Sequence, residues 1–371
     1  MSRFPPIDDA RLPVSLLTGF LGSGKTTLLN RLLGHPQMAR TAVLINELGA
    51  VLLDQLFVQA SDGDVAVLSN GCLCCDVRGD LPELIGTLYG RRDRGDIPAF
   101  DRMLIETTGL ADPAPIMQML LNQPLIADNF RLDAVVTTVD ALHVFRQLAE
   151  HPEAVDQIAL ADRLVLTKTD LLAEHGAPGN ALEGAAGWEP AEGRAAIASR
   201  LRALNPQAPV LMADRVVPAE LFGIDPAASV HASRAHAEPP HAHAHGHLRG
   251  VEAVCFICEQ PLVWRDFWAA LTAFKIRYAE QLLRAKALLD VAGETAPVVV
   301  QGVHHVFHPP ARLPAWPRGQ RDSRMVLITR DLPRDEIEAY WQGQAGSWKA
   351  VGEPAVTSGV DEHERRAVAD P

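Results

Sequence analysis

The sequence has no apolar run long enough to cross a bilayer as a helix. Its start, Met1-Ser2-Arg3-Phe4-Pro5-Pro6, lacks the apolar stretch of a secretory leader. Positive charge is in short supply: 34 Lys and Arg against 46 Asp and Glu give a formal net charge of −12. That balance argues against a nucleic-acid or anionic-membrane partner. Cysteine is scarce and odd in number, five in 371 residues, and a chain this long needs no disulfide staples. These absences together predict a cytoplasmic protein whose thiols are reduced and available to metal. What remains is enough apolar residue, 47%, for a substantial core. The length allows two domains of roughly 150 residues each.

Strand-like and helix-like patterns alternate through the first half. Residues 12–18, 41–46, 64–69, 101–106, 132–139 and 163–167 read as strands. Residues 26–34 read as a helix closed by Gly34, and residues 141–148 as another. The alternation predicts an α/β domain with a mainly parallel sheet. From residue 230 to 250 the chain is mostly Ala, His and Pro, including His231, His236, His241, His243, His245 and His247. This reads as a low-complexity linker that either stays solvated or binds Zn²⁺ or Ni²⁺ loosely. Beyond it, residues 251–258, 297–307 and 323–329 read as strands and residues 264–274 as a helix. Residues 280–291 are ambiguous; propensity favours helix, although the apolar run suits a strand. The second domain is therefore expected to be smaller and α+β. The polar, charged stretch after Gly346 reads as a frayed tail. The expected organisation is residues 1–228, a His-rich linker at 229–250, a second domain at 251–335 and a tail at 336–371. No internal repeat is present.

Chemistry enters at Gly19-Phe20-Leu21-Gly22-Ser23-Gly24-Lys25-Thr26-Thr27. Gly19-x₄-Gly24-Lys25-Thr26 fits the phosphate-loop (Walker A) pattern and lies between a strand and a helix, the context that pattern requires. Backbone N–H groups from Gly19 through Thr27, with Gly22, Ser23 and Gly24 among them, can turn onto phosphate oxygens, and the helix N-terminus adds positive charge. Lys25 should reach the β- and γ-phosphates and Thr26 should ligate Mg²⁺. Glu106 ends a later strand, where a Walker B acid is expected, and Gly109 can let backbone approach the γ-phosphate. Thr167-Lys168-Thr169-Asp170 follows another strand. A carboxylate at Asp170 can accept from N1–H and the N2 amine of guanine; adenine has no proton at N1, so the group would reject it. Lys168 would lie along the base. GTPases usually carry Asn where this chain has Thr167, so one base or loop contact is altered.

Three of the five cysteines fall in Cys72-Leu73-Cys74-Cys75. Thiols this close can converge on one soft cation such as Zn²⁺ or Cu(I). A closed structural zinc site usually draws on two distant ligand pairs, and no second pair clearly joins this trio. The fourth position is left to Glu47, to water or to a residue from a partner, and an open site suits transfer. The cluster lies between the two phosphate-site segments, where P-loop GTPases keep the stretches that respond to the γ-phosphate. Cys255 and Cys258 have metal-pair spacing, but on a strand residues three apart face opposite ways; they read as packing residues. His304, His305 and His308 belong to a strand and its end.

Residues 18–30 with Asn46-Glu47, Asn70-Gly71-Cys72-Leu73-Cys74-Cys75 and Glu106-Thr107-Thr108-Gly109-Leu110-Ala111-Asp112-Pro113 resemble the CobW-type metallochaperone GTPases. Residues 301–309 and the strand at 323–328 resemble that family's C-terminal domain. The resemblance implies a P-loop GTPase domain followed by a CobW-type C-terminal domain, in a cytoplasmic protein that delivers zinc to client metalloproteins during GTP hydrolysis. It implies that Cys72, Cys74 and Cys75 hold the transferable metal. Lys25, Thr26 and Glu106 would then serve the Mg–GTP site, with Lys168 and Asp170 on guanine. Where family members continue with an acidic residue and a glycine after the Asn-Glu pair, this chain has Ala50 and Leu52; Asp54 remains a candidate for the Mg²⁺ shell. Related members serve cobalamin synthesis or nitrile hydratase activation. A metal buffer or sensor with incidental hydrolysis is the alternative from a different class, and an ATP-dependent phosphotransferase is a third, which Asp170 opposes.

Overall fold

The computed structural model describes residues 3–5, 10–46, 56–59, 65–68, 81–172, 190–223, 250–316, 321–344 and 347–351. Cys72, Cys74, Cys75, Glu47 and Asp54 lie outside the described residues, as do the histidines of the linker.

The first half builds a sheet from β1 (Leu12–Gly19), β2 (Thr41–Asn46), β3 (Leu56–Gln59), β4 (Val65–Leu68), β5 (Arg102–Thr107), β6 (Phe130–Asp140), β7 (Arg163–Thr167) and β8 (Val210–Met212). Their spatial order is β4-β3-β2-β5-β1-β6-β7-β8. The six strands from β2 to β8 run parallel, and β3 and β4 are antiparallel additions at one edge. Parallel strands are buried on both faces and so read as near-continuous apolar runs. β1 shows how the faces divide. Leu16 packs with Ile85 and Leu88 of α2 (Leu81–Asp93; α1, Lys25–Leu33, precedes it) and Met117 and Leu120 of α3 (Ala114–Asn122). Leu17, on the other face, packs with Leu28, Leu29 and Leu32 of α1. The short α4 (Pro124–Ala127) follows, then α5 (Val144–Glu150) and α6 (Pro152–Ala159), α7 (Pro190–Leu204) and α8 (Pro218–Leu221). The helix expected at residues 141–148 begins at Val144, because Asp140 first caps a turn by accepting from the Leu142 amide at 2.9 Å.

The second half is a mixed layer. β9 (Val251–Cys258), β10 (Leu282–Leu289), β11 (Val298–Val303), β12 (Val306–Phe307), β13 (Ala311–Arg312), β14 (Ser323–Arg330) and β15 (Lys349–Val351) form a seven-stranded antiparallel sheet. One face is covered by α9 (Trp264–Arg277) and α10 (Arg334–Gln342), with Phe256, Phe267, Phe274, Trp341 and Trp348 at the centre of the core. The N-terminal arm reaches this layer: Phe4 sits edge-on to Trp264 at 4.6 Å, and Pro5 O accepts from the Arg312 amide at 2.8 Å.

Several expectations change here. Residues 282–289 form a strand, not the helix that propensity favoured; all eight are buried. Burial between two layers outweighs the helix preference of Leu, Ala, Arg and Lys. Residues 297–307 are two strands, broken by a turn at His304, whose φ is +52°. The stretch after Gly346 is not frayed at residues 347–351. Trp348 is buried, and Lys349–Val351 pairs with β9.

The other face of the second sheet lies on the first domain. Val251, Leu283, Val326 and Ile328 join Val155 and Ile158 of α6 and Ile197 and Leu201 of α7 in one apolar cluster. Polar pairs cross the same boundary. Arg284 donates to Asp162 at 2.7 Å and to Leu160 O at 2.9 Å, Lys286 also donates to Asp162, and Arg330 pairs with Asp156. Cys255 faces this boundary cluster and Cys258 the aromatic core, so the two thiols point to opposite faces, as strand geometry requires.

Candidate functional site

β1 ends at the carboxyl edge of the sheet, beside β5 and β6, and the chain turns there into α1. Crevices outside the carboxyl ends of parallel strands, where successive connections leave in opposite directions, are where open α/β sheets bind ligands. Gly19 makes this turn with a φ of +140°. A Cβ there would lie 2.3 Å from Thr138 Oγ1 and 2.5 Å from Thr138 O, so no larger residue fits against β6. Gly22 and Gly24 complete the loop, and Ser23, fully buried, shares a hydrogen bond with Thr138 at 2.6 Å. The Ser23 side chain thus fastens the loop to β6, and the Ser23 amide donates to Phe20 O at 3.1 Å within the loop.

Lys25 Nζ donates to Gly19 O at 2.8 Å and to Phe20 O at 3.2 Å, placing the ammonium across the loop. Burial pushes its pKa below the usual lysine range, and the nearby Glu106 carboxylate draws it partly back. Thr26 and Thr27 open α1 with exposed side chains. Thr26 Oγ1 donates to Glu106 Oε1 at 2.7 Å. Residues 80 apart in sequence thus present a hydroxyl and a carboxylate at one point beside the loop. An oxygen-only donor set of this kind suits a hard cation such as Mg²⁺.

After Glu106 the chain passes close over the phosphate loop. A Cβ on Gly109 would lie 2.6 Å from Leu21 N and 2.7 Å from Leu21 Cα, so the close approach requires glycine. On the opposite side, the one proton of Thr167 Oγ1 is shared between Ser23 O at 2.8 Å and Val139 O at 3.1 Å. Thr167 therefore ties the end of β7 to the loop. Lys168, at a φ of +57°, donates to Asp140 Oδ2 at 2.7 Å. Burial alone would raise the Asp140 pKa, but Lys168, His143 and the Leu142 amide together hold it below the ordinary carboxylate range. Asp170 is exposed just beyond.

The structure thus gathers Gly19, Gly22, Ser23, Gly24, Lys25, Thr26, Thr27, Glu106, Gly109, Thr167, Lys168 and Asp170 around one end of the sheet. Sequence reasoning missed three neighbours. Thr138 anchors the loop, and Asp140 holds Lys168. Gln157, on α6, donates to the carbonyls of Gly109 and Ala111 at 3.1 and 3.0 Å. A carboxylate ending an apolar strand, as Asp140 does, was a visible signal; an isolated helical glutamine was not.

Two family descriptions match this architecture. Residues 13–186 match the CobW/HypB/UreG nucleotide-binding domain, and residues 251–344 match the cobalamin synthesis protein CobW C-terminal domain. The zinc chaperone YjiA of Escherichia coli is 30% identical over 334 residues, covering 90% of this chain and 98% of that protein. The chain belongs to the CobW/HypB/UreG family. It is a P-loop GTPase of that family with a CobW-type C-terminal domain. The crystal structure of Zn(II)-bound YjiA GTPase from E. coli superposes on this CobW-family GTPase with a TM-score of 0.61 at 28% identity, over 90% of this chain and 98% of the other. The zinc chaperone CobW of Pseudomonas aeruginosa is 38% identical over 194 residues, which is 44% of this chain and 50% of that protein.

The remaining cysteines of this CobW-family protein are not set up as a metal site. Burial pushes the Cys255 thiol up to about 11, and burial likewise raises Cys258. Among the described residues, no three His, Cys, Asp or Glu side chains converge as a metal site would require. No helix among them is long and apolar enough to cross a membrane.

Proposed function

We propose that this GTPase is a cytoplasmic zinc chaperone. Zn²⁺ is its cargo, held by Cys72, Cys74 and Cys75 with Glu47 as a further ligand, and client metalloproteins are its partners. The observation that carries the reading is the convergence of Lys25, Thr26 and Glu106 at one loop, in a chain whose Cys-x-Cys-Cys motif lies in sequence between that loop and Glu106. The E. coli relative called a zinc chaperone matches across both domains, which supports the cargo.

In this mechanism the loop amides from Gly19 to Thr27 bind the phosphates and Lys25 neutralises the β- and γ-oxygens. Thr26, Glu106 and Asp54 would hold Mg²⁺, which would supply charge neutralisation on the transferred phosphoryl group. Gly109 brings a backbone amide toward the γ-phosphate. Asp170 accepts from guanine, Lys168 lies along the base with its ammonium fixed by Asp140, and Thr167 sets the distance from base to loop. Hydrolysis relaxes the segments on either side of the cysteines, and zinc retention falls in favour of a docked client.

Metal analysis tests the cargo site. The wild-type protein should retain about one zinc per chain, and Cys74→Ala should lose it while still hydrolysing GTP. Equal zinc content in the two proteins would remove the trithiolate from the account.

A further inference from the structure

α6 touches the nucleotide site at two places. His151, its N-cap, stacks on Phe20 of the phosphate loop at 4.5 Å. One turn and a half later, Gln157 is fully buried. Its amide nitrogen carries two protons. Both are committed, one to Gly109 O at 3.1 Å and one to Ala111 O at 3.0 Å. Its own backbone carbonyl accepts from Thr137 Oγ1 at 2.8 Å, so the helix that carries this side chain is fixed to β6.

The cost of this arrangement is the clue. Gln157 Oε1 is buried and has no hydrogen-bond partner among the described residues. An apolar residue of similar size would avoid the desolvation of an unsatisfied oxygen. The chain keeps an amide here, and its two donors grip the two carbonyls that bracket Leu110. Leu110 itself, between the two carbonyls, is 51% exposed. The same loop approaches Leu21 so closely that only glycine fits at position 109. Gln157 therefore sets where the backbone after Glu106 lies relative to the phosphate loop.

We propose that Gln157 is a positioning residue for GTP hydrolysis. It holds the peptides at Gly109 and Ala111 in the orientation from which the Glu106–Gly109 segment meets the γ-phosphate. The proposal rests on the nucleotide-site reading above. A neighbouring contact gives the same helix a reach beyond the site, since Asp156, the preceding residue, pairs with Arg330 of the second domain.

The test uses the full-length chain with Gln157→Leu and Gln157→Glu. Gln157→Leu keeps the volume and removes both donors. Its kcat for GTP should fall about 10- to 100-fold, the loss typical of a displaced reacting geometry, while GDP affinity stays within about twofold; the melting temperature should fall by a few degrees, because the Gly109 and Ala111 carbonyls lose their donors. Gln157→Glu supplies a pH signature. A buried carboxyl has a raised pKa and, while protonated, can donate to one carbonyl. Its kcat relative to wild type should therefore be highest at low pH and decline as the carboxyl ionises against the two carbonyls. Unchanged GDP affinity in both variants shows that each is folded. A kcat for Gln157→Leu within about twofold of wild type, or a Gln157→Glu profile parallel to wild type, would overturn the proposal alone. Absence of GTP turnover in the wild-type protein would overturn the site reading with it.

Discussion

Replacing Asp162 by alanine should separate the two domains energetically while leaving the nucleotide loop untouched. Asp162 Oδ1 accepts from Arg284 at 2.7 Å and from Lys286, and Oδ2 accepts from the Val135 amide at 2.8 Å. The side chains of Arg284, Lys286 and Asp162 are only 5%, 3% and 9% exposed. Burial would raise the Asp162 pKa, but the two cations overcome it and hold the group well below the carboxylate range. Removing the acid leaves both cations buried without this carboxylate, a change that costs about 3–5 kcal/mol. For a cooperative unit of a few hundred residues that is a fall in Tm of about 6–20 °C. The assay is thermal and urea unfolding of the full chain followed by tryptophan fluorescence, which reports on Trp341 and Trp348 in the second core. The pH dependence has a definite sign. The folded pKa of Asp162 lies below its unfolded value, so its contribution is present above about pH 4 and is lost as pH falls. Burial and the adjacent Arg284 bring Lys286 down to about 8 from 10.5, although Asp162 opposes the shift. The folded state then binds fewer protons between those values, and stability should rise with pH across that window. Lys286→Met should abolish the rise. An Asp162→Ala protein that melts within about 1 °C of wild type would refute the interface account.

The other expected outcomes concern the site itself. Gly109→Ala drives a Cβ to 2.6 Å from the Leu21 amide nitrogen, an overpacking worth about 1–3 kcal/mol against the closed loop. Its GTP turnover should fall with a smaller change in GDP affinity, as steady-state kinetics and calorimetry would show. Asp170→Asn replaces one of the two acceptor oxygens for the guanine N1–H and N2 amine with a donor, and should narrow the preference for GTP over ATP by about tenfold or more in competition binding; an unchanged ratio would move base recognition elsewhere. Cys255, with its thiol raised to about 11, should resist alkylation at neutral pH in the folded protein and react on unfolding, read by peptide mass spectrometry.

How much of this was legible in the sequence depends on the kind of constraint. The phosphate loop was visible because its backbone demands specific residues at fixed spacing: Gly19 has no alternative against Thr138, and Gly109 none against Leu21. β1, β2, β5, β7 and β9 were visible because apolar runs of strand length end at turn signals. β10 was misread. Leu-Leu-Arg-Ala-Lys-Ala-Leu-Leu is rich in helix formers, and what makes it a strand is a layer on each face and a carboxylate, Asp162, far away in sequence. The role of residues 347–351 was missed for the same reason, since a three-residue strand gains its place only from β9 and a buried Trp348. Within the site, Lys25, Thr26 and Glu106 were readable from motif position. The residues that hold others in place, Thr138, Asp140 and Gln157, carry no motif; only the folded geometry brings them to Ser23, Lys168 and Gly109.

The central claim, that nucleotide state governs zinc retention, is most directly tested by a zinc-competition titration. Full-length protein would be loaded in turn with a non-hydrolysable GTP analogue, with GDP and with no nucleotide, and titrated against a chromogenic chelator. The account predicts that zinc is held more tightly in the GTP state than in the GDP state by about tenfold or more, corresponding to a coupling free energy of about 1.4 kcal/mol. Identical zinc affinity in all three states would contradict it.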